Sequence, residues 1–322
     1  MHCRFLSRLR GCPAVSHEWP GTRPAVRIGV NTIMSPTING RTRLVGLIGD
    51  PVEHTLSPIM HGAAFDALGL NFCYVPLPVK AGQTEDAVRG LAALGFVGVN
   101  VTFPHKQAVM PLLDTLSAEA RAIGAVNTLV FREGKKTGYN MDGIGFLAAL
   151  TARGIEVNGL PALILGAGGA ARAVAYTLAR SGASVTILNR TREKAEELVR
   201  SLHQHLEGAQ MDSAPFTPDV IADLAPKVGL IVNATTVGMA PHEDASPWPA
   251  DLPFPSGCIA YDLIYAPLET KFLAQAKASG AQTLNGLDML VYQGAQGFKL
   301  WTGHEAPIEV MFDALRDWRT GH

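Results

Sequence analysis

The chain has 322 residues, 47% of them hydrophobic and 17% charged, with 33 glycines, which excludes a disordered or fibrous protein and leaves room for two domains with cores of their own. A formal net charge of -1 and a pI near 6.8 give no electrostatic footprint for nucleic acid or an anionic membrane surface, so a small molecule is the expected partner. Cys3, Cys12, Cys73 and Cys258 form no CxxC pair and the histidines form no HExxH, so free thiols in a reducing, cytoplasmic compartment are expected and a metal site is not.

Residues 1–40 stand apart. Arg4, Arg8, Arg10, Arg23 and Arg27 face one acid, Glu18, and Pro13, Pro20 and Pro24 interrupt any helix. The segment is expected to be a disordered extension; its apolar stretches are too short for a signal-peptide core or a membrane span. Met34 opens a plausible start just before the first strand.

From Arg43 the pattern becomes regular. RLVGLIG predicts a strand, DPVEHTLSP a turn, and PIMHGAAFDALG a helix ending at Gly69. FCYVPLPV, TEDAVRGLAALG and VGVNVTF predict strand, helix and strand, followed by a helix from about Lys106. VNTLVFR, IGFLAALTARG, PALILGAGG, AARAVAYTLARSG, SVTILNRT and REKAEELVRSLHQHL continue the alternation. Alternation of this kind predicts an α/β protein of parallel sheets covered by helices, with right-handed crossovers. LPALILGAGGAARAVAYTLA is apolar enough to imitate a membrane segment, but its glycine cluster and Arg172 argue for a helix buried against a sheet.

In ALILGAGGAARA, Gly166, Ala167, Gly168, Gly169, Ala170 and Ala171 join a strand to a helix through small residues. Backbone N–H groups there can approach a pyrophosphate, which the positive end of the helix dipole favours. A tight connection alone would look similar. The next strand adds information, because Asn189, Arg190 and Thr191 stand where an NAD site presents a carboxylate to the ribose. Arg190 can pair with a 2′-phosphate, helped by Lys194, so NADP is the expected cofactor.

In NVTFPHK, Val99, Val101 and Phe103 are expected on one face of a strand, Asn100 and Thr102 on the other, with Pro104 opening a helix. Carboxyl ends of such strands carry ligand crevices, which places Thr102 and Lys106 at one. Asn127 follows in GAVNT. Asp142, in YNMDG, is either a helix N-cap or a site residue.

Taken together, HTLSP at 54–58, NVTFPHK at 100–106, GAVNT at 124–128, YNMDG at 139–143, GAGGAA at 166–171, NRT at 189–191, NATTVGM at 233–239 and GLDMLVYQGAQGF at 286–298 resemble the shikimate dehydrogenase family from about residue 43 onward. The resemblance implies NADP-dependent reduction of 3-dehydroshikimate to shikimate in aromatic amino acid biosynthesis, with Lys106 and Asp142 as the catalytic pair. It implies substrate contacts from Thr55, Ser57, Thr102, Asn127, Tyr265 and Gln293. Cofactor contacts would come from the Gly166–Ala171 loop, from Asn189 to Lys194, and from Thr235, Leu263 and Gly286. It also implies a substrate domain of residues 41–143 plus 287–322, an N-terminal open α/β unit, and a Rossmann-like NADP-binding domain of 144–286. A cleft between them would close over the ligands.

The expected chemistry has the Lys106 ammonium donating the proton that the developing alkoxide needs, while Asp142 holds it in place. Thr55 and Met141 depart from the family's usual serine and threonine, which keeps quinate in view as a substrate; the first rival is a quinate/shikimate dehydrogenase that uses NAD, against which Arg190 speaks. A non-catalytic NADP-binding sensor and a folate-linked dehydrogenase are the other readings. A homodimer is the one self-association entertained.

Overall fold

The computed structural model describes residues 38–321, which belong to one compact unit. The expectation for residues 1–37 lies outside the described residues.

Two six-stranded sheets organise the unit. The first contains β1 (Arg43–Gly49), β2 (Phe72–Pro78), β3 (Gly98–Val101), β4 (Thr115–Leu116), β5 (Thr128–Arg132) and β6 (Lys135–Tyr139), in the order β2-β1-β3-β5-β6-β4. Its helices are α1 (Ser57–Ala67), α2 (Thr84–Ala93) and α3 (Ala118–Ile123), and α4 (Asp142–Ala152) leads onward. The second contains β7 (Pro161–Leu165), β8 (Ser184–Asn189), β9 (Met211–Pro215), β10 (Leu230–Asn233), β11 (Ile259–Asp262) and β12 (Gln282–Leu284), in the order β12-β11-β10-β7-β8-β9. Between its strands run α5 (Gly169–Arg180), α6 (Arg192–His203), α7 (Pro218–Leu224) and α8 (Lys271–Ala278); α9 (Leu287–Thr302) and α10 (Ile308–Gly321) complete the chain.

Strand periodicity explains the layers. In β7, Ala162 and Ile164 face a core shared with α4, α5 and α6, whereas Leu163 and Leu165 face one shared with α7 and α8. In the first sheet, Val45, Leu47, Phe72 and Tyr74 pack under α1, α9 and α10, and Ile48, Val99, Val101 and Leu129 pack under α2 and α3. The chain thus returns to its first sheet at the end, where Trp301 of α9 donates its indole N–H to the Leu129 carbonyl at 3.0 Å.

The α/β class and the predicted elements agree with this structure, with three corrections. The second sheet is parallel throughout, but the first is mixed, because β5 runs antiparallel to both β3 and β6. Glu133 and Gly134 both take positive φ, 52° and 73°, and make a two-residue hairpin turn too short for any helical crossover. No helix starts near Lys106. Its carbonyl accepts from Val126 N–H at 2.8 Å, His105 is tied sideways by its ring, and Pro111 lacks the N–H a helix would use, leaving one short 3-10 turn at Met110–Leu112. Phe103 does not share the buried face of Val99 and Val101: β3 ends at Val101 and Phe103 is 60% exposed.

Candidate active site

All the polar residues of the first sheet that the sequence singled out lie along one edge. Thr55 and Ser57 follow β1, Thr102 and Lys106 follow β3, Asn127 precedes the antiparallel β5, and Asp142 follows β6. Reversal of β5 matters here, because it brings its amino end to the same edge as the carboxyl ends of its neighbours.

At the centre Lys106 Nζ donates to Asp142 Oδ2 at 2.5 Å, with side-chain exposures of 15% and 7%. The other carboxylate oxygen, Oδ1, accepts from Asn127 Nδ2 at 2.9 Å. Asp142 therefore does not cap α4: Met141 occupies the N-cap position and no side chain caps that end. Asn127 is held in one orientation, since its Oδ1 accepts from Met141 N–H at 2.8 Å and from the Thr128 hydroxyl at 2.9 Å, while Nδ2 also reaches Gln293 Oε1 at 3.2 Å. Gln293 comes from α9, and it can approach because α4 carries Gly145, where a Cβ would sit 2.7 Å from that of Gln293.

Buried groups brace this centre from behind. Tyr74 donates to Asn100 Oδ1 at 2.8 Å, and Asn100 Nδ2 donates to the Asn127 carbonyl and to Thr128 Oγ1, both at 3.2 Å. His105 donates from Nε2 to the Val79 carbonyl at 2.6 Å and accepts at Nδ1 from Thr84, clamping the residue beside Lys106. Tyr265, on the loop after β11, hydrogen-bonds Thr55 across the edge; burial pushes its phenol pKa up and that bond opposes the shift.

The second sheet presents its own row. The Gly166–Ala171 loop follows β7, Asn189 ends β8 and Arg190 to Lys194 follow it, Thr235 follows β10, Leu263 follows β11, and Gly286 follows β12. Sequence-adjacent β7 and β8 lie on one side of the switch point, and β10 lies on the other. Gly166 has φ 112°, and a Cβ there would stand 3.0 Å from the Ala234 carbonyl, so only glycine lets the two loops meet. No side chain caps the amino end of α5, and Arg190 and Lys194 are exposed with no ion pair among the described residues. Open N–H groups and two unpaired cations fit an anionic dinucleotide carrying an additional phosphate.

Sequence reasoning missed Asp262. Fully buried at the end of β11, it accepts from Thr270 Oγ1 at 2.6 Å, from Ile264 N–H at 3.0 Å and from Asn233 Nδ2 at 3.0 Å. It thereby joins the loops that carry Thr235 and Tyr265. Burial pushes its carboxyl up to about 6, against those three donors. Local sequence does not mark it as a brace between loops, since its link to Asn233 spans 29 residues. A surface depression of about 490 Å³, lined by Arg180, His205, Glu207 and Gln210 among others, lies at the opposite ends of the strands, away from all these residues.

Fold and site together define a two-sheet α/β protein with a dinucleotide-type loop facing a lysine–aspartate pair. Family profiles narrow this: "Shikimate dehydrogenase substrate binding domain" matches residues 47–129, "Shikimate / quinate 5-dehydrogenase" matches 149–237, and "Shikimate 5'-dehydrogenase C-terminal domain" matches 286–316. A shikimate dehydrogenase (NADP(+)) of Carboxydothermus hydrogenoformans is 47% identical over 281 residues, 86% of this chain and 98% of the relative. A crystal structure of a shikimate dehydrogenase in complex with NADP+ superposes with a TM-score of 0.78 at 43% identity, covering 88% of this chain and 98% of that one. The Thermus thermophilus enzyme in complex with NADP(H) and shikimate gives 0.76 at 41% identity, covering 86% and 99%. The chain belongs to the shikimate dehydrogenase family.

Proposed function

We propose that the chain is an NADP-dependent shikimate dehydrogenase that reversibly reduces 3-dehydroshikimate to shikimate in aromatic amino acid biosynthesis, on the way to chorismate. The observation that carries this reading is the partly buried Lys106–Asp142 pair at the same edge as a polar ring of Thr55, Ser57, Thr102, Asn127, Tyr265 and Gln293. Hydroxyl and amide groups suit a polyol, because each substrate hydroxyl left unpaired on burial costs about 1–3 kcal/mol. The ring is a means of specificity.

The cofactor, when bound as NADPH, would supply the hydride for reduction and, as NADP+, would accept it back in the reverse direction. The Gly166–Ala171 loop would hold its pyrophosphate, Asn189, Arg190, Thr191 and Lys194 its adenosine phosphate, and the backbone near Thr235, Leu263 and Gly286 the rest. Lys106 carries a proton at Nζ and delivers it to the substrate oxygen as charge develops there, a general-acid contribution of about a hundred- to ten-thousandfold. Asp142 holds the ammonium by Oδ2, and Asn127 holds Asp142 by Oδ1. Substrate hydroxyls would take over the Asn127–Gln293 bond, which at 3.2 Å is the longest of the Asn127 side-chain bonds.

The division into a substrate domain of 41–143 plus 287–322 and a cofactor domain of 144–286 belongs to the same reading, and the packing of α9 and α10 against α1 supports it. So does a cytoplasmic location, consistent with Cys73 and Cys258 being free and with no membrane-spanning helix among the described residues. A homodimer is decided by the sedimentation coefficient of the full chain.

The test is steady-state oxidation of shikimate and quinate with NADP+ and NAD+. A dominant kcat/KM for shikimate with NADP+ upholds the reading, and Lys106→Ala should then lower kcat at least about a hundredfold. Thr55 and Met141 favour a second reading, a quinate/shikimate dehydrogenase, which a dominant kcat/KM for quinate would establish. No turnover with any pair, despite NADP+ binding, would instead identify a sensor.

A further inference from the structure

Arg172 sits in the first turn of α5, is 7% exposed, and makes no ion pair among the described residues. Desolvation pulls its pKa down, and Glu197 opposes the shift. A buried guanidinium with no carboxylate in direct contact is costly, so its hydrogen bonds identify what it serves. Nε donates to the Ile123 carbonyl at 2.8 Å and Nη2 donates to Ser201 Oγ at 2.9 Å. Ile123 ends α3, and its carbonyl lies at the negative end of that helix.

The segment so gripped leads directly to the catalytic centre. Just beyond Ile123, the Ala125 carbonyl accepts from Asn140 Nδ2 at 2.9 Å, Val126 N–H donates to the Lys106 carbonyl at 2.8 Å, and Asn127 holds Asp142. The same helix touches that centre twice more. A Cβ on Gly169 would meet the Lys106 side chain at 3.0 Å, and one on Gly143 would meet Thr177 Oγ1 at 2.1 Å. The helix whose amino end faces the phosphate loop is therefore packed against the residues flanking the lysine–aspartate pair, and Arg172 is its polar attachment to them.

We propose that Arg172 is a positioning residue that couples the two ligand sites: an anion held at the amino end of α5 fixes, through Arg172, the Ile123–Asn127 turn that keeps Lys106 and Asp142 in register. This rests on the NADP and shikimate reading above. Coupling of this kind is reciprocal, so NADP+ should tighten shikimate binding by the same factor that shikimate tightens NADP+ binding.

The experiment measures the Kd of NADP+ with and without saturating shikimate, by calorimetry on the full chain, in the wild type, R172M and S201A. The wild type should show a coupling factor of at least about fivefold. R172M should bring it to about one while Kd for NADP+ alone changes by no more than about twofold. S201A, which spares the Ile123 bond, should keep the wild-type factor. A purely structural arginine would lower the melting temperature of R172M and leave the factor unchanged, which overturns the proposal. Should R172M lack a native circular dichroism spectrum, R172K takes its place, because an ammonium keeps the charge but not the two-pronged fork; a reduced factor supports the proposal and an unchanged one refutes it. Wild-type protein that binds both ligands independently removes this proposal alone, whereas wild-type protein that binds neither removes the functional reading with it.

Discussion

Acidification provides a direct check on the buried core behind the site. His61 is fully buried, both ring nitrogens lack hydrogen-bond partners, and its ring stacks on Tyr74 at 4.6 Å with Trp301 5.5 Å away. Burial alone lowers its pKa from 6.5 to about 3. A depressed folded pKa means that its contribution to stability is complete above 6.5 and is lost as pH falls toward 3, because only the unfolded chain takes up the proton. At about pH 4.5 the loss amounts to about 2.7 kcal/mol, two units at about 1.4 kcal/mol each. Asp262 acts in the opposite sense. Its carboxyl, raised to about 6, contributes stability that is complete below 3.8 and is lost as pH rises through 6, so acidification to the same pH returns about 2 kcal/mol. The two terms nearly cancel in the wild type and separate in His61→Leu. Urea midpoints followed by tryptophan fluorescence at about pH 7.5 and 4.5 should show the variant gaining about 2–3 kcal/mol on the wild type over that interval. Parallel pH curves for the two proteins would refute a neutral, desolvated His61.

Four further outcomes follow from the same geometry. Asn127→Ala removes the support of Asp142 Oδ1 and orphans the Met141 N–H; kcat should fall by about tenfold or more and stability by about 1–3 kcal/mol, read by turnover and urea melts. Asp262→Asn turns an amide toward one of three donors, so stability should drop by about 1–3 kcal/mol and KM for NADP+ should rise. Gly145→Ala forces α4 from α9 and should cost about 1–3 kcal/mol, whereas Gly90→Ala, in α2 with nothing within 4 Å, should gain about 0.5–1 kcal/mol; melting curves of the pair separate packing from helix propensity. Arg190→Ala should raise KM for NADP+ about tenfold or more and leave that for NAD+ unchanged, as measured in paired kinetics; equal effects on both would place the 2′-phosphate contact elsewhere.

Local pattern was sufficient wherever the determinant was itself local. Continuous apolar runs in RLVGLIG and PALIL, small residues in GAGGAA, and helical spacing in α5 and α6 identify their elements because run length and side-chain period follow from local backbone geometry. The motifs also named the polar residues that meet at the edge of the first sheet. What the pattern left open depended on partners distant in the chain. β5 reads as apolar whichever way it runs, and its reversal was decided by the Glu133–Gly134 turn and pairing with β6. The stretch after Lys106 has helical composition, but Val126 takes the Lys106 carbonyl from across the sheet edge. Asp142 could cap a helix or meet a lysine; folding decided for Lys106, 36 residues away in sequence, and Asn127. Asp262 and Arg172 are isolated charges in apolar runs, and only the assembled cores surrounding them show which loops and helix ends they hold. Sequence by itself determined the family, the α/β alternation and the residue types of the site; tertiary packing decided strand direction, which carboxylate meets the lysine, and which buried charges brace the two loop rows, because those outcomes depend on contacts between segments that no local period encodes.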